Sequence, residues 1–190
     1  MSKSLKKIIL ASASPQRLEL LKTAGVVLTV WPSEVDEEPL VSTDVAETAW
    51  LRAKAKAEEV AKLFPDALVI GADTVVEGRS GNLLSKPETI EEASKMFRSL
   101  IGTRHRVISA ACLLMSGKKE RIVEEAWVTL TTLEEEEIED YLATRESLGK
   151  AGGLCVQGIG KKFVEKIEGE EAVVVGLPLE KILNFLEHTM

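Results

Sequence analysis

Leu10-Ala11-Ser12-Ala13-Ser14-Pro15-Gln16-Arg17-Leu18-Glu19-Leu20-Leu21 decides how the chain is read. An apolar run, Ile8 to Ala11, is cut off by two serines and a proline, and Leu18, Leu21 and Ala24 then recur at helical spacing. The pattern predicts strand, turn and helix. Ser14 suits the N-cap and Pro15 the first helical position, where its missing N–H costs nothing. A helix that opens at the end of a strand presents free N–H groups and the positive end of its dipole. With the hydroxyls of Ser12 and Ser14 and the Arg17 guanidinium, these groups could converge on an anion, above all a phosphate. A capped helix that binds nothing fits the same letters.

Downstream, Gly25 breaks the helical pattern and Val26–Trp31 reads as a second strand closed by Pro32. The acidic run Ser33-Glu34-Val35-Asp36-Glu37-Glu38 offers oxygen ligands to a hard cation such as Mg²⁺, with solvated loop charge as the alternative. Val45, Ala49, Ala53, Ala57, Val60, Ala61 and Phe64 trace the stripe of a long helix that Asp44 and Glu47 start and Pro65 ends. On it, Lys54 is expected beside the stripe, able to point into a cleft, and Lys56 in solvent. Ala67–Ile70 has the continuous apolar pattern of a strand covered on both faces and runs into Gly71-Ala72-Asp73-Thr74-Val75-Val76. Asp73 falls at the carboxyl end of that strand, where open α/β sheets hold ligands. It is there to be paired, hydrated or used, or it is a turn residue beside Gly71.

In the second half, Asn82–Ser85 reads as a short strand, and Lys86, before Pro87, as extended. Thr89 and Glu92 form a capping box for a helix that ends at Gly102. Val107–Met115 and Arg121–Thr131 read as a hairpin, with His105 a strand-end residue making a local hydrogen bond. Glu134–Glu137 fits a helix N-terminus better than a metal cluster. Lys150–Gly160 is expected as a flexible loop in which the Gln157 amide can read donors and acceptors on a base. Phe163–Ile167 and Ala172–Val175 read as closing strands, and Gly176-Leu177-Pro178 as the start of a last helix.

The 190 residues, 45% hydrophobic and 29% charged, fit one domain over 1–190, or two lobes sharing a core. Alternating strands and helices followed by hairpins predict an α/β fold: a mixed sheet flanked by helices, with two lobes and a central cleft. A net charge of −7 argues against a broad basic surface, so no nucleic-acid polymer is expected as a partner. Two cysteines, Cys112 and Cys155, and two distant histidines make no zinc pattern, and both thiols are expected to be reduced. Met1–Lys7 is basic, but the apolar run behind it is too short for a signal-peptide core, and no stretch reaches membrane-spanning length. The expectation is a soluble, cytoplasmic protein without a membrane partner.

Leu10–Leu21, Ser33–Glu37, Leu51-Arg52-Ala53-Lys54-Ala55, Ile70–Val75, Ser85-Lys86-Pro87 and Lys150–Pro178 resemble the motifs of the Maf family of nucleoside triphosphate pyrophosphatases. They stand in the family's order and cover nearly the whole chain. The resemblance implies the twisted Maf/inosine-triphosphatase-like sheet, commonly as a homodimer. It also implies house-cleaning hydrolysis of a non-essential or modified nucleoside triphosphate to monophosphate and pyrophosphate, with Mg²⁺ or Mn²⁺. Asp73 would be the proton acceptor; Ser12, Arg17, Lys54 and Lys86, with Ser14 beside them, would bind substrate; Asp36 or Glu37 would handle metal or water.

Gln16, Thr74 and Gln157 bear on substrate choice. Thr74 and Gln157 are similar to the branch acting on dTTP and UTP, which usually carries Arg where this chain has Gln16. The branch acting on 7-methyl-GTP also lacks that Arg but differs at the other two positions. Leu154 stands where the pyrimidine branch commonly has an aromatic. A nucleotide-binding regulator of cell division is the rival reading; a carboxylate set against a triphosphate favours the enzyme. The absence of a Gly-rich loop ending in Gly-Lys-Ser/Thr argues against a P-loop NTPase.

Overall fold

The computed structural model describes residues 7–189. Of the basic stretch Met1–Lys7, residues 1–6 lie outside them. Seven strands occur among the described residues: β1 (Ile8–Ala11), β2 (Thr29–Val30), β3 (Leu68–Glu77), β4 (Leu83–Leu84), β5 (Arg104–Met115), β6 (Lys118–Leu130) and β7 (Val164–Glu168). The helices are α1 (Pro15–Thr23), α2 (Val45–Ala61), α3 (Ile90–Leu100), α4 (Glu135–Ala143), α5 (Glu171–Val175) and α6 (Leu179–Thr189). The strands form one sheet in the order β2-β1-β3-β5-β6-β7, with β4 also paired to β3. β1 runs parallel to β2 and β3, whereas β4 is antiparallel to β3 and β7 to β6. The expected mixed α/β sheet flanked by helices is thus the architecture found. Ser116 and Gly117, at φ +51° and +77°, turn β5 into β6 with the positive angles that a two-residue hairpin favours.

By its contacts the chain divides into two compact units. Among the described residues, the first comprises those up to Asp73, Ser109–Glu124 and those from Gly176; the second comprises Thr74–Ile108 and Glu125–Val175. In the first, strand alternation puts Ile8, Leu10, Leu68, Ile70 and Ala72 in one core with Leu21 of α1 and Ile182 of α6. The other face of β3 carries Gly71 and Asp73 and meets α2. A Cβ on Gly71 would lie 2.2 Å from the Ala53 carbonyl oxygen and 2.6 Å from the Ala57 nitrogen. The helix backbone therefore rests directly on the strand, with Ala49, Arg52, Ala53, Lys56, Ala57 and Val60 on its buried side.

In the second unit, Phe97 of α3, Tyr141 of α4 and Phe163 form a ring cluster with centroids 4.9–5.7 Å apart. The Tyr141 hydroxyl accepts the Cys155 N–H at 2.8 Å and so fixes the segment expected to be a flexible loop. That segment is not loose. It contains two 3₁₀ turns, Ala151–Gly153 and Ile159–Phe163, and Gly152, at φ +71°, is buried against Leu100 and Val76. The N–H groups of Gly149 and Gly152 donate to the carbonyls of Pro87 (2.9 Å) and Ser85 (3.2 Å). Glycines that could have made the loop mobile instead let its backbone pack.

Three other expectations are corrected. Ala172–Val175 is helical, within α5, because Val173 and Val174 reach the core from a short helical turn, and tertiary context overrides β-branched propensity. The strand expected over Val26–Trp31 is reduced to Thr29–Val30, since Val27 is 90% exposed and finds nothing to cover it. His105 is buried in β5, and its Nδ1 has no hydrogen-bond partner among the described residues, so the local hydrogen bond expected there is not made at that nitrogen.

Two outcomes follow from these contacts. Gly71→Ala will lower stability by about 3 kcal/mol, read from urea unfolding, because the added methyl meets backbone rather than a yielding side chain. Burial holds His105 at a pKa of about 4, whereas the unfolded chain takes up that proton near its ordinary value of 6.5. Between these values the unfolded state binds more protons, so this contribution to stability is complete above pH 6.5 and falls until about pH 4. His105→Leu will remove about 3 kcal/mol of the stability difference between pH 7 and pH 4, measured against the unsubstituted protein.

Candidate active site

Asp73 lies not at the carboxyl end expected for it but in the middle of β3, which continues to Glu77; it is fully buried on the face that meets α2, two residues beyond Gly71. A carboxylate there must be answered by nearby cations, and α2 supplies them one turn apart. Lys56 Nζ donates to Asp73 Oδ1 at 2.8 Å and to the Ala72 carbonyl at 3.3 Å, and pairs with Glu37 Oε1 at 2.7 Å. Arg52 Nη1 faces Asp73 Oδ2 at 4.0 Å, while its Nε donates to the Leu40 carbonyl at 3.1 Å. That second bond anchors to the helix the segment that follows the acidic stretch.

The turn after β1 joins the same network. Ser14 caps α1 by accepting the Arg17 N–H at 3.4 Å and donates its hydroxyl to Gln16 Oε1 at 3.1 Å. Ser12 Oγ accepts the Ser14 N–H at 3.2 Å and an Arg17 Nη1 proton at 3.0 Å. Arg17, buried, also donates to the carbonyls of Ala72 (2.9 Å) and Gly176 (2.9 Å). Burial pulls its pKa below the ordinary arginine value, and the charges of Asp73 and Glu37 oppose that shift. The Ala72 carbonyl thus accepts from both Arg17 and Lys56 and links the α1 N-terminus to the carboxylates.

In the first unit the structure therefore brings together Ser12, Ser14, Gln16, Arg17, Glu37 and Asp73. Asp36 is exposed, with Oδ1 accepting the Glu38 N–H at 3.0 Å. Lys56, expected in solvent, is instead buried against Asp73, and Lys54 is half exposed, paired with Glu58 at 4.0 Å. The close contact at Gly71 decides this, because it lays Ala53 and Ala57 on β3 and carries Arg52 and Lys56 with them, while Lys54 turns away. Arg52 and Lys56 are the residues that sequence reasoning missed. Their signal was an i, i+4 pair in phase with Ala49, Ala53 and Val60.

In the second unit, Thr74 is half buried, Lys86 is exposed between Ser85 and Pro87, and Gln157 is exposed. Cys112 and Cys155 form no disulfide, and burial pushes the Cys112 thiol up to about 11, leaving it inert at neutral pH. Among the described residues no group of three or more His, Cys, Asp or Glu side chains could hold a metal ion. Glu37, Asp73 and the Ala72 carbonyl nevertheless surround one cationic atom. Two carboxylates suit Mg²⁺, which usually completes its shell with substrate phosphates and water.

A sequence model described as Maf-like protein matches residues 7–189, and the chain belongs to this family. A protein of Geobacillus sp. (strain WCH70) named dTTP/UTP pyrophosphatase is 41% identical over 180 residues, covering 95% of this chain and 96% of its own. One of the same name from Pyrococcus furiosus is 42% identical over 183 residues, covering 96% and 95%. A solved structure of a HAM1 protein from Coxiella burnetii superposes with a TM-score of 0.53 over 97% of this chain and all of that one. At 12% identity, that likeness shows the fold.

Loss of Lys56 leaves buried charge unanswered, whereas Lys54 sits in a surface pair. Lys56→Met will cost about 3 kcal/mol of stability and Lys54→Met no more than about 0.5, compared by chemical denaturation in metal-free buffer.

Proposed function

We propose that this chain hydrolyses a nucleoside triphosphate to nucleoside monophosphate and pyrophosphate, with dTTP and UTP preferred. The observation that carries the reading is a fully buried carboxylate, Asp73, framed by Lys56, Arg52 and Arg17 beside the N-terminus of α1. Hydrolysis of a phosphoanhydride needs cations for the phosphate charge and a carboxylate for the proton of the attacking water.

In this mechanism the α1 N-terminus and the Ser12 and Ser14 hydroxyls bind phosphate oxygens. Arg17 is committed to the Ser12 hydroxyl and two carbonyls, so it holds the turn in shape and contributes its charge at short range. Asp73 accepts a proton from water as the water oxygen bonds to the α-phosphorus. The bond from that phosphorus to the bridging oxygen breaks, and pyrophosphate leaves with the electron pair. Glu37 and Asp73 would hold a divalent cation, Mg²⁺ or Mn²⁺, which when bound offsets charge on the phosphates. Lys56 takes the phosphate-facing part expected of Lys54. Lys86 keeps its expected role in phosphate contact, and Gln16, Thr74 and Gln157 theirs in base choice. The reading includes one Maf-like domain, a cytoplasmic protein and a homodimer; sedimentation velocity reads the last directly.

Pyrophosphate release with Mg²⁺ or Mn²⁺ across dTTP, UTP, CTP, the purine triphosphates and 7-methyl-GTP tests the reading. Selective release from dTTP and UTP is expected, and Asp73→Asn should lower kcat by about 10³-fold while circular dichroism stays unchanged. Gln16→Arg should change the ratio of kcat/KM among nucleotides. Nucleotide binding without release from any of them would overturn the enzyme in favour of the regulator.

A further inference from the structure

The oxygens around Lys56 satisfy its three N–H donors and are at the same time donors that a metal ion can use. Its ammonium is buried and has three oxygens around it: Asp73 Oδ1 at 2.8 Å, Glu37 Oε1 at 2.7 Å and the Ala72 carbonyl at 3.3 Å. Two carboxylates and a carbonyl are the oxygen donors that a hard divalent cation takes. The two carboxylates come from different parts of the chain, the acidic stretch and the middle of β3, and the carbonyl belongs to the residue before Asp73. Without a cation among them, two carboxylates both in contact with one nitrogen would repel each other.

We infer that the Lys56 ammonium is a resident stand-in for the divalent cation, holding Glu37 and Asp73 together until the metal takes the same oxygens and displaces it. The inference rests on the proposed function only in taking Glu37 and Asp73 as the metal's carboxylates. Charge explains why the exchange needs substrate. Asp73 and Glu37 carry two negative charges, and Lys56, Arg52 and Arg17 three positive ones. A bare divalent cation therefore meets a site already positive, whereas one arriving with a triphosphate brings net negative charge. The displaced ammonium then has phosphate oxygens to face, so its charge is used before and after the exchange. Metal and nucleotide should bind with positive coupling, each weak alone.

Mn²⁺ binding without nucleotide, followed by electron paramagnetic resonance and by thermal unfolding, tests this with no turnover involved. Lys56→Met should bind Mn²⁺ at least tenfold more tightly than the unsubstituted protein, and Mn²⁺ should raise its melting temperature while leaving that of the unsubstituted protein unchanged. Lys56→Gln should behave like Lys56→Met, and Lys56→Arg, which keeps the charge, should bind as weakly as the parent. Adding Glu37→Gln to Lys56→Met should abolish the gain. A Lys56→Met protein that folds only when Mn²⁺ is present would also support the exchange. Equal or weaker Mn²⁺ binding in both Lys56→Met and Lys56→Gln would overturn it. The reaction itself is judged separately, since full turnover in Asp73→Asn would remove the proton-acceptor assignment and leave the Mn²⁺ comparison standing.

Discussion

A carboxylate with no exposure to water cannot stand without cations at contact distance, and much of the first unit serves that requirement at Asp73. The cations ride on α2, and α2 reaches them to the strand because residue 71 has no side chain. With Ala53 and Ala57 against Gly71, helix and strand backbones approach until Arg52 and Lys56 overlie the next residue on that face of β3. Packing and electrostatics are therefore one arrangement here. The small residues set a distance, and the distance fixes which lysine is buried.

The same network also ties together pieces that are remote in sequence. Arg17 spans from the start of α1 to the carbonyls of Ala72 and Gly176, and Arg52 reaches back to Leu40. Each is a long side chain that loses rotamer freedom on burial, a cost offset by charge-assisted hydrogen bonds to groups otherwise left unsatisfied. The consequence is preorganisation. The hydroxyls, the helix N-terminus and the carboxylates are held by one another before any substrate arrives, so little reorganisation remains for binding.

Much of this was legible in the letters. Ser14 and Pro15 set the start of α1, the capping box of Thr89 and Glu92 set α3, and the apolar run into Gly71 marked β3 as covered on both faces. Asp73 stood out because it breaks that run. On α2 the phase of Lys56 with Ala49, Ala53 and Val60 was its one signal, and Lys54 stands at similar spacing to Trp50, Ala57 and Ala61, so the helix alone did not choose between them. The choice needed the partner strand, where Gly71 fixes the rotation of the helix. Ala172–Val175 misled for the opposite reason, because local β-branched preference was clear and the core overruled it. The glycines near residue 152 showed what the backbone could do but not that it would be packed.

That packed glycine segment has a mechanical consequence. Gly149 and Gly152 hold the carbonyls on either side of Lys86, and the Tyr141 hydroxyl holds Cys155, two residues before Gln157. Lys86 and Gln157 are thus carried on one braced frame within the second unit rather than on independent loops. A frame of this kind transmits displacement. Insertions or substitutions that retune the segment around Gln157 will also move Lys86, so altered ligand preference and altered charge placement are inherited together.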